Sequence, residues 1–253
     1  MNDESREQTS SVQTETPEPT LSDRVAGLDW HALRAQLDAQ GFAQSPPLLT
    51  EQECHALRAL FDAGSFRTTI DMARHRFGSG RYRYFAHPLP GAIQALRAAF
   101  YAQLAPIANA WAALLGGSDA AFPPQHEEFL ARCHAAGQER PTPLLLRYGP
   151  GDWNALHQDL YGDIAFPFQV LTPLSQPGVD FEGGELVLLE QRPRAQNRAH
   201  VLAPRQGSFV IFPTEHRPQR GARGYHKVKL RHGVSTLTRG SRTTLGIIFH
   251  DAR

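Results

Sequence analysis

From Pro141 to the C-terminus the sequence falls into short apolar or alternating runs: "PLLLRYG", "FPFQVLTPL", "ELVLLE", "AHVLAP", "SFVIFP", "YHKVKLRHGVS" and "RTTLGIIFH". Turn clusters such as "PGVDFEGG", "PRQG" and "TRGS" separate them. Many short strands at close intervals point to an all-β sandwich or barrel rather than a parallel α/β sheet. This half of the chain therefore sets the fold.

Upstream the period changes. "LDWHALRAQLDAQGF" carries Trp30, Leu33 and Leu37 at helical spacing, with Gly41 as the stop. "TEQECHALRALFD" begins with Thr50 and Glu53, the spacing of a capping box, ahead of Leu57, Leu60 and Phe61. A third helix is expected from about Gly91 to Leu115, where Ile93, Leu96, Phe100, Leu104 and Ile107 recur every three or four residues. The intervening "FRTTIDMARHRFGSGRYRYFAHPLPG" reads as a loop or irregular ribbon. Residues 1–24 lack the apolar core of a signal peptide and read as a disordered tail. The expected organisation is that tail followed by one domain over 25–253, helical over 25–140 with a β-core over 141–253. The class is mainly β with N-terminal helices, α+β overall.

Composition removes several function classes. A formal net charge of +1 over 253 residues gives no global field for a polyanion or an anionic membrane, so no nucleic-acid partner is expected. Cys54 and Cys133 are the only cysteines, which excludes a disulfide framework and a Cys-rich zinc site. No apolar run approaches the roughly 20 residues of a membrane-spanning helix. Cytoplasmic residence is the resulting expectation.

The chemistry concentrates in "NALHQDLYGD", where His157 and Asp159 stand two residues apart after a Gly-rich turn. On a strand, that spacing puts an imidazole and a carboxylate on one face, able to chelate a metal. A catalytic metal needs a third ligand, and two His with one carboxylate is the facial set of non-haem Fe(II) sites. His200, His216, His226, His232 and His250 are the downstream candidates. His226 and His232 share the even-numbered face of one strand, and alternation cannot separate them. Arg242, ten positions after His232 across a "TRGS" turn, shares a face with Thr244. A buried guanidinium is costly alone but matches a carboxylate bidentately, as an anchor for a metal-chelating dicarboxylate must. His232 with Arg242 is the more economical pair.

"HQD" followed by "RHGVSTLTRGSRTTLGIIFHDA" resembles the prolyl-hydroxylase-like branch of the Fe(II)/2-oxoglutarate-dependent dioxygenases. "LLLRYGPGDWNALHQD" is similar to that family's Tyr-x-x-Gly stretch leading into His-x-Asp, and "DFEGGELVLLE" to its Gly-Gly-Glu hairpin. The resemblance covers about Pro141 to Ala252. It implies a double-stranded β-helix, or jelly roll, with His157, Asp159 and His232 as iron ligands. It further implies Arg242 as partner of the far carboxylate of 2-oxoglutarate, with Tyr148 and Thr244 hydrogen-bonded to the same carboxylate. The cofactor set so implied is Fe(II), 2-oxoglutarate and O2, and the reaction is hydroxylation of a small-molecule or peptide substrate with release of succinate. The long interval between Asp159 and His232 is expected to hold its insertion in "EQRPRAQNR" and "EHRPQRGARG".

Two other readings stay open at this level: a cupin-like metal enzyme that needs no 2-oxoglutarate, and a non-catalytic ligand-sensing module of the same fold. The loop "RHRFGSGRYRYF" mixes arginines with aromatics, as single-strand-binding surfaces do, but with this net charge a solvated loop or a lid is expected.

Overall fold

Turn and cap chemistry sets the helices in the computed structural model, which describes residues 18–117, 121–192 and 194–253. The first is α1 (Leu21–Ala26), held by a capping box between Thr20 and Asp23. The expected tail therefore lies outside the described residues as far as residue 17, but its proposed end at residue 24 is corrected, because this cap starts a helix. Then come α2 (Trp30–Gln40), ended by Gly41 at φ 84°, and β1 (Ala43–Pro47). The Thr50/Glu53 box is formed at the start of α3 (Glu51–Ala63).

The segment read as a loop is instead largely β-structure: β2 (Phe66–Asp71), a 3-10 turn (Met72–His75), β3 (Gly78–Ser79) and β4 (Arg81–Phe85). Arg67, Tyr82 and Arg83 are half-buried while Arg81 is exposed and Tyr84 buried, so no clean polar–apolar alternation marks these strands. Helix α4 (Gly91–Leu114) buries Ile93, Leu96, Phe100, Leu104 and Ile107, the stripe read from the sequence. A further helix, α5 (His126–Ala135), was not expected.

From here the chain is strands: β5 (Leu144–Tyr148), β6 (Trp153–His157), β7 (Phe168–Pro173), β8 (Phe181–Gly183), β9 (Leu186–Gln191) and β10 (Arg198–Leu202). They continue as β11 (Ser208–Pro213), β12 (His216–Gly221), β13 (Gly224–Val234), β14 (Leu237–Gly240) and β15 (Arg242–Ile248). His216 opens β12, which pairs antiparallel with β13.

Two sheets face each other. The larger runs β1-β11-β7-β15-β5-β4-β2, and the smaller runs β10-β9-β13-β6-β3 with β12 on the flank of β13. Because β1, β2 and β4 join the larger sheet, residue 140 divides the sequence but not the layers. Leu171, Val210 and Phe212 of the larger sheet meet Leu186, Leu188 and Leu230 of the smaller one in an apolar seam. The helices cover the outside of the larger sheet, where Phe100 packs on Phe209 at 4.7 Å between ring centroids.

One charged residue sits inside that layer. Arg97 of α4 is fully buried and donates to the carbonyls of Ile248 (2.9 Å) and Phe249 (3.1 Å) and to Asp251 Oδ1 (2.7 Å). A buried guanidinium persists only when so paired, and here it fastens the end of β15 to the helical layer.

Candidate active site

The site lies between the sheets. His157 ends β6, and His232 faces it across the β6–β13 ladder as a direct register partner. Their ring centroids are 4.2 Å apart. This approach depends on Gly233, where a Cβ would lie 2.7 Å from the Asn154 carbonyl oxygen. Asp159 follows just beyond the strand end; its Oδ2 is 3.1 Å from His232 Nε2 and its Oδ1 is 3.6 Å from His157 Nε2. One ligand atom from each residue fits within 4.8 Å of the others.

The donor chemistry suits a divalent transition metal. The Nδ1–H of His157 donates to the Ala155 carbonyl at 2.7 Å, which leaves Nε2 with its lone pair toward the cluster. Burial, then the neighbouring His232, hold His157 below its ordinary pKa. Burial pushes the Asp159 carboxyl up, but His232, His157 and Tyr161 outweigh it and hold the group well below the usual carboxylate range. The free Nε2 of His157, the ionised carboxylate of Asp159 and the ring of His232 therefore converge on one point.

The sequence reading missed what holds Asp159. Tyr161 donates to Asp159 Oδ1 at 2.6 Å, and Tyr84 donates to the Tyr161 hydroxyl at 2.9 Å. Burial, then the Asp159 charge, raise the pKa of both phenols, so both stay protonated donors. A signal existed: Tyr161 continues the two-residue step of His157 and Asp159.

Arg242 begins β15 opposite Tyr148 of β5. It is 3% exposed, its Cζ lies 5.5 Å from the Tyr148 ring centroid, and among the described residues no group accepts a hydrogen bond from it. Burial lowers its pKa, with Tyr148 and Glu185 opposing. Its stem crosses the backbone at Gly184, where a Cβ would lie 3.1 Å from Arg242 Cδ. Thr244 shares its face, and Thr244 Oγ1 is buried without a partner among the described residues. The Tyr148 hydroxyl accepts from Asn154 Nδ2 at 3.3 Å, and burial raises its pKa to about 12. A carboxylate would satisfy the guanidinium and the threonine together, so these residues fit the far end of a dicarboxylate.

All six predicted residues line one cavity of about 220 Å³ with Tyr82, Tyr84 and Phe212. Arg242 also walls a second cavity of about 200 Å³ beside Gly183, Gly184 and Leu202. The remaining histidines lie elsewhere. His226 is exposed near the β12–β13 turn, and His200 meets Phe42 edge-on at 5.0 Å between centroids. His216 pairs with Glu215, and buried His250 accepts from the Phe166 amide.

Residues 80–252 match the Oxygenase-NA family, described as "Oxygenase, catalysing oxidative methylation of damaged DNA". The chain belongs to the Oxygenase-NA family. Two uncharacterized proteins of Mycobacterium tuberculosis, from strains CDC 1551 and H37Rv, are each 50% identical over 168 residues, which is 66% of this chain and 72% of theirs. Among solved structures, a prolyl-4-hydroxylase of Pseudomonas putida aligns with TM-score 0.51 and 17% identity over 88% of this chain and 99% of its own. A 2OG-Fe(II) oxygenase of Burkholderia pseudomallei gives TM-score 0.51 and 17% identity over 96% and 98%. A Trichoplax adhaerens prolyl hydroxylase, in complex with a hypoxia inducible factor peptide, gives 0.54 and 15% over 92% and 93%. The Oxygenase-NA chain thus has the double-stranded β-helix of the prolyl-hydroxylase-like 2-oxoglutarate/Fe(II) oxygenases. Family, fold and donor set support Fe(II), 2-oxoglutarate and O2 as its cofactors and do not favour the cupin-like or ligand-sensing alternatives. No described helix is long and apolar enough to cross a membrane.

Proposed function

We propose that the protein hydroxylates N-methyl groups on damaged DNA bases, with His157, Asp159 and His232 holding Fe(II) and Arg242 holding 2-oxoglutarate. The observation that carries the reading is the buried, unpaired guanidinium of Arg242 in the same cavity as the His–Asp–His cluster. The family description names damaged DNA, and a methyl on a base nitrogen offers the C–H bond that an oxygenase hydroxylates. Bound iron with 2-oxoglutarate supplies oxygen-atom transfer: one O2 oxygen ends in succinate, the other enters a C–H bond, and CO2 leaves. On a nitrogen-bound methyl the product is an N-hydroxymethyl group, whose C–N bond then breaks to release formaldehyde and return the N–H base.

The chain's own part is positioning. Tyr161 fixes the orientation of Asp159, and Ala155 fixes that of His157. Arg242, with Tyr148 and Thr244 beside it, orients the co-substrate so that its other end faces the three ligands. Leu144, Leu146, Tyr82 and Phe212 exclude water around the reacting carbon and offer flat or apolar walls to a base.

The test supplies Fe(II), 2-oxoglutarate and O2 with an oligonucleotide carrying 1-methyladenine. Succinate and formaldehyde should form in equal amounts, with loss of one methylene by mass. Hydroxylation of a proline-containing peptide, with every N-methylated oligonucleotide untouched, would overturn the substrate class and keep the enzyme class.

A further inference from the structure

Strand β13 outruns its sheet. Beyond Lys229, which pairs with Gln191, strand β9 ends. Beyond His232, which pairs with His157, strand β6 ends and β12 takes its side of the ladder. Among the described residues, Gly224 to Val228 thus have β12 as their one strand neighbour, and together the two strands form a ribbon. It continues in the direction in which β6 leaves the sheet toward Asp159. At about 3.4 Å per residue, Lys229 lies about 10 Å and Tyr225 about 24 Å along the strand from His232.

The chemistry of the ribbon differs from that of the rest of the chain. Between His216 and His232 there is no Asp or Glu, and both lysines of the protein, Lys227 and Lys229, are here. Arg220, Arg223, Lys227, Lys229 and Arg231 are all exposed. Among the described residues none of these five has a carboxylate within 4.0 Å, whereas the buried Arg217 at the ribbon's base is paired with Glu190. Register puts Arg220 across from Tyr225, on the face that carries Lys227, Lys229 and Arg231, with steps of about 7 Å along β13. Tyr225 is 43% exposed on that face. A row of like charges on one face of a hairpin repels itself and destabilises the strand pair, and a polyanion laid along it removes that repulsion. Salt-dependent neutralisation of phosphates is what such a row provides, and an exposed aromatic adds a stacking surface.

We propose that the β12–β13 ribbon grips the phosphate backbone of DNA, holding the strand while the reacting base enters the cavity between the sheets. The inference rests on the DNA reading above, but it is tested separately. Lys227 and Lys229 allow a direct footprint: acylation by an amine-selective reagent, read by mass spectrometry, with the N-terminal amine as internal reference. Saturating DNA in low salt should slow acylation of both lysines about tenfold relative to that reference. In parallel, R223Q/K227Q/K229Q/R231Q should weaken DNA binding at least tenfold near 0.1 M salt. It should also lower the slope of log Kd against log salt by about three to four. If that variant does not fold, K229Q alone should lower the slope by about one.

Lysines acylated at the same rate with and without bound DNA would overturn the proposal, as would an unchanged salt slope in a folded variant. Demethylation of an oligonucleotide without lysine protection sinks the ribbon and keeps the substrate class. Protection without turnover of any alkylated DNA keeps the ribbon and sinks the substrate class.

Discussion

The two ends of β13 carry histidines on the same face of the same strand, yet they are different places. At His232 the strand lies between β6 and β9, with Phe212 4.9 Å away across the seam and Asp159 within 3.1 Å. At His226 it has β12 alone, and the side chain faces solvent. Periodicity assigns a side chain to a face, but the neighbouring strands decide whether that face meets a core, a site or water. The same distinction separates Arg217, buried on Glu190, from the free cations farther out.

The comparison breaks most sharply by substitution. His232→Ala should reduce turnover at least a thousandfold and abolish the anaerobic charge-transfer band of the Fe(II)–2-oxoglutarate complex. His226→Ala should leave both within twofold. The reverse result would put the metal at the wrong end of the strand. Next in size, Arg242→Ala should raise the KM for 2-oxoglutarate about a hundredfold, the worth of a bidentate charged pair, with iron still bound. An unchanged KM would remove Arg242 from the co-substrate. Tyr161→Phe keeps the ring and deletes the hydroxyl that holds Asp159. Iron affinity should fall roughly ten- to a hundredfold, as for other groups that orient a ligand, and metal titration reads this directly.

The smallest effect separates loss of fold from loss of site. Burial, then Arg97, hold His126 down to about 3 and His250 down to about 4. Both titrate near 6.5 when unfolded, so below that pH the unfolded chain takes up protons that the folded chain refuses. The stability gained from neutral burial is therefore complete above pH 6.5 and is lost progressively toward pH 4. Between pH 7.5 and pH 6 the loss should be roughly 1–2 kcal/mol in denaturant titrations. Stability that rises as the pH falls through this window would contradict the burial of both rings.

Much of this was legible in the sequence, for reasons that can be named. His157, Asp159, His232 and Arg242 converge because short strands hold spacing rigidly, so two residues here and ten there translate into positions. The stripe on α4 was readable because a helix against a sheet must hide one side. Strands β2 and β4 were not, since arginines lying along aromatic faces bury their stems without producing alternation; Arg67 sits 4.4 Å from the Tyr84 ring centroid. Arg97 was hidden because its partners come from the distant C-terminus. The ribbon was hidden by averaging: a net charge of +1 says nothing of cations gathered on one hairpin and acids spread elsewhere.

Arg242 has one more consequence. It lines both the cavity of the three ligands and the second cavity beside Gly183 and Leu202. In the proposed reading it is an anchor with space on both sides, and shortening it removes a charge and widens both cavities at once. The length of the 2-oxo acid accepted is then set by the same side chain that binds its charge.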